Sequence, residues 1–72
     1  MLLQEFDSST IKTVAYDKSE GKMWLRFQHG GLYEYRGVDQ ETVMNLIKAD
    51  SKGHFFNDVI KEKFTDYEKV EE

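Results

Sequence analysis

Trp24 and Arg26 lie two residues apart in Lys22-Met23-Trp24-Leu25-Arg26-Phe27-Gln28, a spacing that puts an indole and a guanidinium on one face of a strand. Arg36 and Lys12 fall on the neighbouring expected strands and can add positive charge to that face, depending on register. A solvent-facing Trp flanked by cations can engage a base and its phosphate, or a protein partner, since Trp and Arg are enriched at binding hot spots. The same residues can instead satisfy one another, with Arg26 covering the Trp24 ring in a contact worth about 0.5–1 kcal/mol. Tyr33 and Tyr35 form a second pair at strand spacing. Tyrosines so placed could stack bases, but strand aromatics more often bury the ring and bring the hydroxyl to the edge, so a structural role is assigned to them.

Other constellations say less. Ser51-Lys52-Gly53-His54 stands where a helix should begin, so free N–H groups there could receive an anion with help from Lys52. The simpler reading is a Ser51 cap and a Gly53 that lets two elements meet closely. His29 and His54 are the only histidines, and neither has a His or Cys partner at metal-ligand spacing, so no metal or cofactor is expected. Ser8 or Ser9, His29 and Asp17 can be written as a triad, but no nucleophile elbow accompanies them. A non-catalytic chain is expected.

Composition sets the frame for these residues. The chain has 72 residues, 39% hydrophobic and 14% aromatic, which suits a single domain with a small aromatic-rich core. The absence of cysteine removes disulfides and thiolate chemistry and fits a cytoplasmic location. No apolar run approaches the ~20 residues that span a bilayer, so no membrane association is expected. The net charge is −4, with five acids among residues 62–72 against Lys63 and Lys69, and the remainder is close to neutral. That balance disfavours strong non-specific nucleic-acid binding while leaving room for a local basic patch.

The elements that must position these residues follow from hydrophobic period. Ile11 to Asp17 is rich in β-formers, Lys22 to Gln28 alternates with Met23, Leu25 and Phe27 on one face, and Leu32 to Arg36 returns after His29-Gly30-Gly31. Asp39 can cap a helix carrying Val43, Met44, Leu46 and Ile47, and Ser51 a second carrying Phe55, Phe56, Val59 and Ile60. The expected fold is α+β, a three-stranded antiparallel β-meander followed by two α-helices packed on one face. Met23, Leu25, Phe27, Tyr33, Tyr35, Val14 and Tyr16 should meet Val43, Leu46, Ile47, Phe56, Val59 and Ile60 in one core. The ordered part should run from about residue 8 to 64, with loose first residues and a frayed acidic tail at 65–72.

Three motifs in order carry a resemblance. Ser8-Ser9-x-Ile11-x-x-Val14-x-Tyr16-Asp17, Leu25-x-Phe27-x-x-Gly30-Gly31-x-Tyr33-x-Tyr35 and Ser51-Lys52-Gly53-x-x-Phe56-Asn57-x-x-Ile60 closely resemble the KTSC domain. That family takes its name from the C-terminus of some lysyl-tRNA synthetases and also occurs as small separate proteins. The resemblance supplies no catalytic residues and implies a small binding module, with RNA of tRNA type as the suggested partner. The alternative is a protein-binding module that uses the Trp24 face, either reading being compatible with a monomer or a weak dimer. Trp24, Arg26, Arg36, Lys12 and Lys52 are the candidate contacts, and Gly30, Gly31, Ser51, Gly53, Phe56 and Asn57 join Tyr33 and Tyr35 as motif residues with structural roles.

Overall fold

A computed structural model describes residues 1–70. Its strands are β1 (Leu2–Glu5), β2 (Ile11–Asp17), β3 (Lys22–Phe27), β4 (Gly31–Tyr35) and β5 (Tyr67–Val70), antiparallel throughout and adjacent in chain order. The sheet therefore has five strands where the sequence predicts three. The inner strands β2 to β4 are those expected from the alternation. The two additions are edge strands, with one neighbour each and mostly exposed side chains, so neither needs the apolar period that reveals a half-buried strand. Leu2–Glu5 is thus paired with β2 rather than loose. Tyr67–Val70 is paired with β4 rather than frayed, while residues 71 and 72 lie outside the described residues.

Ile11 and Val14 are both fully buried although they stand three positions apart, a spacing that would put them on opposite faces of a regular strand. A register shift between Ile11 and Thr13 resolves this: one extra residue in β2 lets both reach the core. Met23, Leu25 and Tyr35 meet them from β3 and β4. The β3–β4 connection turns at Gly31, whose φ of +86° is a left-handed conformation that strains other residues.

Beyond β4, Val38 closes the open end of the core: its N–H donates to Gly21 O at 2.9 Å, and its carbonyl accepts from Tyr16 Oη at 2.7 Å. Helix α1 (Gln40–Lys48) then begins at Asp39, whose carboxylate accepts from Thr42 N at 3.2 Å and Thr42 Oγ1 at 2.6 Å. Those bonds hold the Asp39 carboxyl below the usual carboxylate range. A second helix starts as α2 (Lys52–Phe55), widens into a π-helical turn (Phe56–Ile60) and ends as α3 (Lys61–Lys63). Both helices lie on one face of the sheet, and Val43, Leu46, Ile60 and Phe64 join the strand residues in a single core. Ile47 and Phe56 pack against that core half-buried, and Val59 is also half-buried, a shallower placement than their periodicity suggests.

Candidate functional site

The sheet divides the expected site residues between its two sides. Trp24 sits in the middle of β3 on the face away from the helices, level with Ala15 of β2 and Glu34 of β4. It is half-buried, and its indole Nε1 donates to Glu34 Oε1 at 3.1 Å. Arg26 lies two residues further along, level with Thr13 and Leu32. The bulge in β2 gives Thr13, not Lys12, the position beside Arg26, and Lys12 itself is exposed.

Arg36 reaches the same face but is surrounded by acid. Its guanidinium contacts Glu34 Oε2 at 2.9 Å, Asp66 Oδ1 at 3.0 Å and the Glu68 carboxylate. The Asp66 hydrogen bond, followed by the charges of Glu68 and Glu34, raises its pKa further. Such a guanidinium offers little charge to a phosphate. Trp24 and Arg36 are thus brought together through Glu34, and the pair has a mixed rather than a basic character.

Lys52 is held elsewhere. Its ammonium donates to Ile47 O at 3.0 Å and to Ala49 O, satisfying carbonyls left open at the end of α1, and sits 5.0 Å from the Phe6 ring centroid. Ser51 accepts from His54 N at 3.2 Å as a cap. Gly53 faces Thr10 so closely that a Cβ there would lie 2.7 Å from Thr10 Oγ1. This motif ties α1, the second helix and the β1–β2 loop together.

The helix side of the sheet carries a cleft of about 900 Å3, lined by Phe27, Tyr33, Tyr35, Phe56, Phe64 and Tyr67 together with Ser9, Thr10, His29, Gly30, Lys61, Glu62 and Thr65. Phe27 and Tyr33 meet edge to face at 5.6 Å, Phe27 and Phe56 at 5.1 Å, and Tyr35 stacks on Tyr67 at 5.1 Å with 24° between planes. Phe56 belongs to the π-helical turn, a local widening that often marks functional positions. Burial, then the neighbouring Tyr67 and Tyr33, push the Tyr35 hydroxyl up to about 12. It therefore stays neutral at ordinary pH and is no base. The cleft offers ring surface, tyrosine hydroxyls, the cation Lys61 and the imidazole of His29, with Glu62 also in its lining. Among the described residues no cluster of His, Asp or Glu could hold a metal ion, and no helix is long and apolar enough to cross a membrane.

Tyr33 and Tyr35 line this cleft from the motif, but Tyr67, Lys61 and Phe64 are not among the expected site residues. Only Phe64 carried a sequence signal, one turn beyond the apolar stripe; Tyr67 stands in a charged segment without alternation.

Known proteins are similar to this chain in fold and in sequence. The crystal structure of a KTSC domain protein from Yersinia pestis superposes with a TM-score of 0.90 at 36% identity, covering 97% of each chain. A protein of Stutzerimonas stutzeri, named only as uncharacterised, is 34% identical over 64 residues, 89% of this chain and 90% of its own. A lysine–tRNA ligase of Nostoc punctiforme is 36% identical over 58 residues, which is 81% of this chain but 10% of the ligase. The KTSC domain pattern itself matches residues 7–64, so the three motifs, the bulged sheet and the paired helices converge on one assignment: the chain belongs to the KTSC domain family.

Proposed function

We propose that this domain is a non-catalytic binding module that takes single-stranded RNA into the aromatic cleft. The observation that carries the reading is the cleft itself, about 900 Å3 walled by six aromatic residues with Lys61 and His29 among its lining. Rings of this kind stack on unstacked bases, and a lysine ammonium beside them can pair with the phosphate backbone. Similarity to a segment of lysine–tRNA ligases, proteins named for a tRNA substrate, supports an RNA partner. A tyrosine hydroxyl held neutral and the lack of a nucleophile motif support binding without chemistry. A cysteine-free chain suits the cytoplasm.

The Trp24 face supports a second reading, a protein-binding surface. There Trp24 and Arg36 share Glu34, and Asp66 and Glu68 neutralise the arginine, a mixture that suits a protein rim better than a phosphate. Fluorescence anisotropy with a labelled short oligoadenylate separates the readings. Binding should weaken steeply between about 50 and about 200 mM salt. Trp24 emission should stay unchanged, because the indole lies on the opposite side of the sheet. Absence of binding at micromolar protein overturns the RNA reading, and binding accompanied by Trp24 quenching moves the site to the outer face.

A further inference from the structure

We infer that Tyr67 is the ring on which a nucleobase stacks, and that Arg36 is the positioning residue that holds Tyr67 in the cleft. This inference rests on the cleft being the RNA site and assigns the stacking within it to one residue.

Stacking requires an accessible ring face, and the cleft aromatics differ sharply in this respect. Tyr35 is 4% exposed and Phe64 7%, while Phe27, Tyr33 and Phe56 are half-buried and pack on one another. Tyr67 is 51% exposed. The other exposed large hydrophobic residues among those described are Met1 and Leu3 at the opposite edge of the sheet, so of the cleft aromatics Tyr67 brings the most open ring. One side of it is backed by Tyr35, nearly parallel at 5.1 Å, and Tyr33 leans on it at 6.2 Å. A base laid on the other side would extend a stack that already has its foundation.

An exposed tyrosine on an edge strand would ordinarily be mobile, but this one is flanked by anchors. Asp66 and Glu68, the residues on either side, both pair with Arg36, and Arg36 N donates to Asp66 O at 2.9 Å. Register places Tyr67 directly opposite Tyr35. The arginine that looked like a phosphate contact in the sequence thus pins the final strand from its outer side while the tyrosine between the anchors faces the cleft.

Tyr67→Leu keeps an apolar group against Tyr35 and removes the π face; Tyr67→Phe keeps both. With the parent binding a short oligoadenylate, Tyr67→Leu should lose affinity about tenfold or more and Tyr67→Phe should stay within about twofold. Thermal melts establish that each variant is folded. In the parent, Tyr67 ring protons should shift upfield on addition of the oligonucleotide, a readout independent of any variant. Arg36→Ala should weaken binding while the oligoadenylate still induces an upfield shift of Tyr67, and binding by Arg36→Ala equal to the parent overturns the positioning role of Arg36. Oligoadenylate binding by Tyr67→Leu equal to the parent, or a parent complex with Tyr67 unshifted, overturns the assignment of stacking to Tyr67 and leaves the RNA reading standing. A parent that does not bind the oligonucleotide overturns both.

Discussion

Gly53 faces Thr10 where the second helix meets the β1–β2 loop, and opposing magnitudes decide what a methyl group would do there. Alanine gains at most about 1 kcal/mol over glycine, the helix-interior value, at Gly53 in the first turn, but a Cβ there would meet Thr10 Oγ1 at 2.7 Å and Thr10 Cβ at 3.3 Å. Overpacking of that kind costs about 1–3 kcal/mol. Gly53→Ala should therefore unfold at lower denaturant, by about 1 kcal/mol net, and Thr10→Ala in the same chain should restore part of the loss; a Gly53→Ala more stable than the parent would show that the loop yields freely. Tyr35, 4% exposed, should cost about 3–5 kcal/mol as Tyr35→Ala, whereas half-buried Trp24 should cost much less. Denaturant midpoints check that ordering. These single residues were legible to different depths. Ser51 as a cap follows from its local chain, but Lys52 as a clamp on the α1 carbonyls does not, because a lysine at a helix start reads equally well as a solvent cation.

At the scale of elements, the inner strands announced themselves and the edges did not. Met23, Leu25 and Phe27 alternate because β3 has a core on one side, while β1 and β5 are held by backbone pairing and side-chain anchors that leave no period in the sequence. The β2 bulge was hidden for a related reason: Ile11 and Val14 read as out of phase until an extra residue is inserted between them. Because Arg36 pairs with the acids on either side of Tyr67, the stability of β5 should be separable from that of the core. Exposed ion pairs contribute about 0.2–1 kcal/mol each, so Arg36→Ala should leave global unfolding nearly intact. It should, however, speed hydrogen exchange at Tyr67 to Val70 by several-fold, since local opening of an edge strand needs little free energy. Exchange unchanged in β5 would mean that the ladder with β4 suffices without the arginine.

For the whole molecule, two buried tyrosine hydroxyls tie the core to pH from the alkaline side. Burial raises Tyr35 to about 12 and also raises Tyr16, whose hydroxyl donates to Val38 O and so closes the end of the core. Below about pH 10, the ordinary tyrosine value, both groups are protonated folded and unfolded alike, and their contribution is constant. Above it the unfolded chain loses protons that the folded chain retains, so stability falls as pH rises through the interval up to about 12 for Tyr35. Lysines titrate in the same range, so the informative quantity is the difference between parent and Tyr35→Phe. Urea midpoints for the variant should decline less steeply from about pH 10 upward than those of the parent. Some decline should persist, because Tyr16 remains. Parallel curves would mean that Tyr35 ionises as readily folded as unfolded, and that the cleft wall it belongs to is open to water rather than sealed by Tyr67 and Phe56.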